Sequence, residues 1–263
     1  MDIAGSTVLI TGANGGLGEA LARSLAAEGA KLLLSGRRAD ALTSLATDLD
    51  ARPIVADLAD PAQVQRLADE AGAVDILIAN AALPSSGDTL EYSVEQIDRS
   101  LAVNLRAPIV LCRLLAPAMV AAGHGHIVLV GSLSGKVTSP GTALYAAAKF
   151  GLRGFAHALR QDLHGHGVGV SVVQPGFIRD AGMFAKSGAK PPPGLGTSSP
   201  AQVVAGIIRA IERNRGEVNV APLGVRLGAT IGALAPELAA RMQRRLGAER
   251  LSRQLIDGQR NLR

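Results

Sequence analysis

Six short runs of aliphatic and β-branched residues alternate along this chain with longer segments of helical periodicity, and that alternation leaves few folds open. The runs are TVLI at 7–10, KLLLS at 31–35, PIV at 53–55, VDILIA at 74–79, HIVLV at 126–130 and VGVSVVQ at 168–174. Most are apolar at successive positions, the pattern of strands covered by helices on both faces. Right-handed crossovers between parallel strands then predict an α/β fold with a doubly wound parallel sheet in a single domain. With 263 residues, 48% of them apolar, the chain can bury a large core, and a disordered chain is excluded.

The first run leads directly into TGANGGLG, Thr11 to Gly18, and then into a helix expected to begin near Leu17. Glycines at a first β–α junction let the backbone approach a pyrophosphate, whose charge meets the helix N-terminus. Gly12, Asn14, Gly15, Gly16, Leu17 and Gly18 are therefore candidate nucleotide-binding residues, and the sheet is expected to be of the Rossmann type. The glycines at 12, 16 and 18 depart from the ordinary G-x-G-x-x-G spacing. At the end of the second run an acidic residue would bind a ribose 2′-hydroxyl and repel a 2′-phosphate. Here the sequence reads SGRRAD, with Arg37 and Arg38 in that place. Arginine suits a phosphate through charge-assisted, bidentate hydrogen bonds, which favours NADP(H) over NAD(H). The other reading of the pair is two solvated arginines in a loop.

The chain has two tyrosines and no tryptophan, and one of the tyrosines lies in ALYAAAKFGL at 143–152. Tyr145 and Lys149 are four residues apart, so they share one face of a helix. Leu144, Ala148, Leu152, Phe155, Leu159 and Leu163 form the predicted buried stripe of that helix. A phenol with a pKa of about 10 is a poor proton donor or acceptor at neutral pH unless positive charge lies close by. The Lys149 ammonium would supply such charge. A serine thirteen residues before the tyrosine, Ser132, could stabilise charge on a substrate oxygen.

Taken together, TGANGGLG and the downstream Tyr-x-x-x-Lys resemble the short-chain dehydrogenase/reductase family in its compact single-domain form. The resemblance extends to ADL at 56–58, ANAA at 79–82, VNL at 103–105, VGSLSG at 130–135 and QPGFI at 174–178. It implies a catalytic set of Asn104, Ser132, Tyr145 and Lys149. Tyr145 would be the acid–base group, Lys149 would hold the ribose hydroxyls, and Asn104 would hold a water that links Lys149 to solvent. The cofactor contacts it implies are Asp57 and Leu58 near the adenine, Asn80 and Ala81 after the fourth strand, and Pro175, Gly176 and Ile178 beside the nicotinamide. Asp180 stands where the family commonly has threonine. The expected activity is interconversion of a carbonyl and an alcohol with NADP(H). Reduction of a 3-oxoacyl group or an enone is an alternative within the family, and a catalytically silent dinucleotide sensor is one outside it. A homodimer or homotetramer is expected from the same resemblance, through helices at roughly 94–122 and 143–166.

The remaining features set limits. Cys112 lies in an apolar helical pattern as a buried thiol, and a lone cysteine makes no internal disulfide. His124, His126, His164 and His166 have no cysteine or carboxylate partners nearby in sequence; they read as solvated helix ends, not as metal ligands. Nothing in the first residues resembles a secretory leader, so a cytoplasmic location is expected. A loop over 180–199 is expected to cover the substrate, with Met183 and Phe184 as its apolar residues and Lys186 and Lys190 as its cations.

The domain is expected to run over 1–235, followed by a basic helical extension at 236–263. Residues 201–263 carry 11 Arg against 5 Asp or Glu, whereas 1–200 carry 16 basic against 17 acidic side chains. Without base-stacking aromatics beside the arginines, nucleic acid is a poor partner. The stretch 218–235 is apolar but interrupted by Pro222 and Arg226. The segment 236–255 reads as one amphipathic helix with Leu238, Met242, Leu246, Leu251 and Leu255 on its apolar side. That helix is expected to pack on its own domain or a second subunit. Contact with an anionic membrane surface is the disfavoured alternative, since the region has no aromatic anchor.

Overall fold

The computed structural model describes residues 1–189, 191, 196–245 and 248–259. Its strands are β1 (Thr7–Thr11), β2 (Lys31–Gly36), β3 (Arg52–Val55), β4 (Ile76–Ala79), β5 (Gly125–Val130), β6 (Val168–Pro175) and β7 (Glu217–Val220). They form one sheet in the order β3-β2-β1-β4-β5-β6-β7, and every pair is parallel. The chain thus winds outward in one direction from β1 to β3, then crosses back and winds outward from β4 to β7. The reversal opens a crevice between β1 and β4, outside their carboxyl ends.

The helices between the strands are α1 (Gly16–Ala27), α2 (Ala39–Asp48), α3 (Pro61–Ala71), α4 (Val94–Leu101), α5 (Ala107–Ala122), α6 (Ala143–Asp162), α7 (Gly182–Ser187) and α8 (Pro200–Glu212). Three of their starts are written locally. Asp60 caps α3 ahead of Pro61, while Ser93 and Ser199 close capping boxes with Gln96 and Gln202 at α4 and α8.

Because side chains alternate across a strand, successive residues feed two separate cores. On one side Leu9, Leu77, Leu129 and Val172 meet Leu67 of α3, Leu111 and Leu115 of α5, and Leu152 of α6. On the other, Val8, Ile10, Ile78 and Val173 meet Leu21 of α1, Leu42 of α2, and Val203 and Ile207 of α8. The helix over Val94–Ala122 is long and apolar enough to cross a membrane, yet Val103, Ala107, Leu111, Leu115 and Met119 of it are core residues of this domain.

Three sequence expectations are corrected. The run at 218–235 is not one apolar stretch: it divides at Ala221–Pro222 into the edge strand β7 and a helix, α9 (Leu223–Leu234). The segment at 236–255 is not one helix but two, α10 (Pro236–Arg245) and α11 (Ala248–Gln259), with Leu246 outside the described residues. His126 is not a solvated helix end; it points into β5–β6 packing, 1% exposed, with its Nε2 2.7 Å from Ser171 Oγ. Burial there pushes its imidazole down to about 3, so it stays neutral at physiological pH.

Candidate active site

Nearly every residue singled out in the sequence falls just beyond the carboxyl end of a parallel strand. Gly12 follows β1, Arg37 and Arg38 follow β2, Asp57 lies two residues past β3, Asn80 follows β4, Ser132 lies two past β5, and Gly176 follows β6. Six segments far apart in sequence are thereby gathered along one edge of the sheet, at the crevice made by the reversal of strand order.

The glycine turn is built for close backbone approach. Gly12 has φ 65° and packs so tightly that a Cβ would sit 2.8 Å from Ala81 Cα. A Cβ on Gly18 would overlap the Gly12 carbonyl oxygen, so the first turn of α1 rests directly on the loop. Gly15, the N-cap of α1, brings no side chain to cap the helix, which leaves its N-terminal dipole for an external anion. Gly16 lies against Ala181 and Gly182, and the Leu17 side chain is buried in the core, so both present backbone to the crevice. Thr11, not among the candidates, holds the switch point together. Its buried hydroxyl accepts the N–H groups of Asn80 and Ala81, both at 3.1 Å, while Asn80 Nδ2 donates to the carbonyls of Thr11 and Gly12.

At the β2 end, Arg38 Nη2 donates to the Asn14 carbonyl at 2.5 Å, and Asn14 Nδ2 donates back to the Arg38 carbonyl at 3.0 Å. This reciprocal pair sets the Arg38 guanidinium beside the glycine turn, while Arg37 is exposed nearby. Gly36 is needed there because a Cβ would lie 2.6 Å from Asn14 Oδ1. Asp57 accepts from the Ala59 N–H at 3.0 Å and from Arg99 of α4 at 2.9 Å. Burial works to raise its carboxyl, but the Ala59 N–H and Arg99 outweigh it and hold the group below its ordinary value. Arg99 carries no local signal in the sequence, because it reaches Asp57 across 42 positions. The Leu58 side chain turns into the core.

Ser132, Tyr145 and Lys149 lie at the other end of the crevice. The Ser132 hydroxyl lies beside the Tyr145 phenol, and its Oγ accepts from the Ser134 N–H at 3.1 Å. Lys149 Nζ lies 5.7 Å from the Tyr145 ring centroid and donates to the Val130 carbonyl at 2.9 Å. The tyrosine lies at the mouth, half-buried, and the lysine is 2% exposed. Burial pushes the phenol up to about 12, against the opposing pull of Ser132, and pushes the ammonium down to about 8. Pro175 ends β6 beside Val220, Gly176 donates its N–H to the Val220 carbonyl at 3.0 Å, and Ile178 bridges to Ser198. Asp180 takes φ 66° and turns its carboxylate outward, 3.4 Å from Arg179. It presents no hydroxyl where the family resemblance had threonine.

Asn104 is fully buried, and its side-chain amide is committed to the protein. Oδ1 accepts from the Leu83 N–H at 2.8 Å, and Nδ2 donates to the Leu83 carbonyl and the hydroxyls of Ser85 and Ser100. The residue sits in a π-helical turn, Ala102–Arg106, that joins α4 to α5. Pro108, four residues on, has no N–H, so the ordinary helical donor to the Asn104 carbonyl is missing.

The loop over 180–199 is partly helical. Phe184 of α7 stacks with Phe177, ring centroids 4.8 Å apart, and α11 packs on α7. Lys190 lies outside the described residues.

The capless helix start, the close packing at Gly12 and Gly18, and the arginine at the second strand fit a dinucleotide laid along this crevice. The described geometry agrees with what is found among known proteins. The family model for short chain dehydrogenase matches residues 6–192. The ketoacyl reductase HetN of Nostoc sp. is 34% identical over 93% of this chain and 90% of its own length. A short-chain dehydrogenase from Sphingobium yanoikuyae, solved with NADPH, superposes with a TM-score of 0.78 at 28% identity, over 89% of this chain and 95% of that one. One from Burkholderia phymatum, solved with NAD, gives 0.79 at 25% identity, over 91% and 97%. Sequence, fold and crevice converge, and the chain belongs to the short-chain dehydrogenase family of NAD(P)-dependent oxidoreductases.

Proposed function

We propose that the protein interconverts a carbonyl and an alcohol with preference for NADP(H), and that Tyr145 is its acid–base group. The observation that carries this reading is the buried Lys149 ammonium 5.7 Å from the centre of the Tyr145 ring, with Ser132 beside the phenol. A bound dinucleotide would supply the hydride in one direction and accept it in the other. In the reductive direction Tyr145, protonated at neutral pH because its pKa is pushed to about 12, gives its proton to the carbonyl oxygen. Ser132 holds that oxygen and Lys149 stabilises the phenolate left behind. Alcohol oxidation needs the phenolate first, so its rate should rise with pH while reduction holds steady through neutrality.

The committed side chain of Asn104 moves its proposed relay role to the main chain. A water on the Asn104 carbonyl, left without its helical donor, would return protons to Lys149. Preference for NADP(H) rests on Arg38, fixed by Asn14 where a 2′-phosphate would lie. Among carbonyls, a 3-oxoacyl thioester is the first to try, since HetN carries the name ketoacyl reductase. Pairing into a homodimer or homotetramer is supported by the face of α6 bearing exposed Ala143, Ala147, Gly154 and Ala158, which lets two helices approach closely. An elution mass of one subunit by light scattering would contradict it.

The cheapest test is fluorescence titration with NADPH and NADH, followed by a panel of ketones, 3-oxoacyl thioesters and alcohols. Tighter NADPH binding with turnover of at least one carbonyl is expected. Tight binding with no turnover across the panel would favour a silent sensor.

A further inference from the structure

Among the described residues, six of the ten exposed large hydrophobic side chains belong to two consecutive helices, α9 and α10. Leu223, Leu227, Ile231 and Leu234 recur at helical spacing along one side of α9, and Leu234 is 83% exposed. The opposite side is the one that packs. Ala229 and Gly232 are buried, and a Cβ on Gly232 would collide with Val137. In α10 the same arrangement continues: Gln243 reaches back to the Thr138 carbonyl at 2.9 Å, while Leu238 and Met242 are about half exposed on the other side. The two helices pack on each other, each held to the 137–138 segment by its small or polar side, with its aliphatic stripe turned away. Of the two expected partners for this region, its own domain and a second subunit, the stripe is not turned to the first.

The charge around the stripe selects its occupant. Arg226 flanks the α9 stripe, and Arg241 and Arg245 flank Leu238 and Met242 at one helical step on the same side. With Arg244 they face a single acidic residue, Glu237, within 223–245. A two-fold contact between copies would bring together two copies of the same arginine-rich face, each with net positive charge. At 12 residues α9 is about 18 Å long, too short to cross a bilayer core of about 30 Å, but suited to lying in its surface. We propose that the α9–α10 face docks the enzyme on an anionic phospholipid bilayer, aliphatic side chains in the acyl boundary and arginines at the headgroups. Without Trp, Tyr or Phe in either helix, the attachment rests on aliphatics and arginine alone, so it is reversible and sensitive to salt.

Co-sedimentation of the full chain with phosphatidylcholine vesicles, with and without phosphatidylglycerol, tests this. Pelleting with the anionic vesicles at low salt and release at high salt are expected. Leu227→Glu/Ile231→Glu and Arg241→Glu/Arg245→Glu, all on exposed positions, should each weaken partitioning by about tenfold or more. Unchanged melting temperature and NADPH affinity would show that both variants are folded. Recovery of the wild type in the supernatant with both vesicle types would overturn the proposal, as would pelleting that neither variant reduces. A drop in oligomer mass in the leucine variant, without vesicle binding by the wild type, would assign the face to a second copy instead.

Discussion

Arg38 shows how far single residues could be read in advance. Its identity and its place after β2 were visible in the sequence, and they favoured a 2′-phosphate over a bare ribose. The reason it is held there was not, because Asn14 and Arg38 meet across 24 positions through their backbone carbonyls. Thr11 and Arg99 escaped for the same reason, since each acts on a partner brought close only by folding. Asn104 was singled out in the sequence, but the commitment of its amide to Leu83 was not legible there. At this scale the account predicts that Arg38→Ala raises the dissociation constant for NADPH by about tenfold or more. A lost charge-assisted hydrogen bond is worth roughly 1.5–3 kcal/mol. NADH binding should change little. Equal weakening of both cofactors by titration would show that Arg38 only braces the glycine turn.

Elements were legible where their pattern was strong. Five of the six runs became interior strands because unbroken apolar sequence has its home between two helical layers, and PIV became β3 at one edge of the sheet. β7 was missed because an edge strand needs only half its surface covered: Glu217, Val218, Asn219 and Val220 alternate over just four residues, all partly buried. What fixes it is a cluster with no sequence signature. Glu217 accepts from Lys136 at 2.7 Å and Arg153 at 2.8 Å, and lies 2.9 Å from His157, joining β7 to α6 and to the segment after Ser132. Burial alone would raise the Glu217 carboxyl, but Lys136, His157 and Arg153 bring it down to about 2. A depressed carboxyl stabilises the fold above its unfolded value, near 4.5, and loses that contribution as pH falls toward 2. Glu217→Gln should therefore cost on the order of 2 kcal/mol at neutral pH, allowing for partial solvent screening. Melting curves should show the gap from wild type closing between about pH 4.5 and 2. A gap that stays constant with pH would mean that the cluster contributes no electrostatic stability.

Across the whole molecule, the sheet order decides where chemistry occurs, since it brings six strand ends to one crevice and leaves the C-terminal helices to lie beside it. The doubly wound class followed from the alternation of elements, and the site followed from the glycine turn and the tyrosine–lysine pair. The C-terminal third resisted because its apolar residues face outward, the reverse of the rule by which burial is read from periodicity. α11 folds back onto α7 instead of extending as a continuation of α10, so the C-terminal region also closes over the segment expected to cover the substrate. In the proposed mechanism Tyr145 moves the proton while the crevice holds the cofactor independently of it. Turnover of NADPH against an accepted carbonyl, measured for Tyr145→Phe alongside NADPH affinity, tests this most directly. A rate loss of about a thousandfold with the dissociation constant nearly unchanged is expected. Turnover at the wild-type rate in the variant would contradict it.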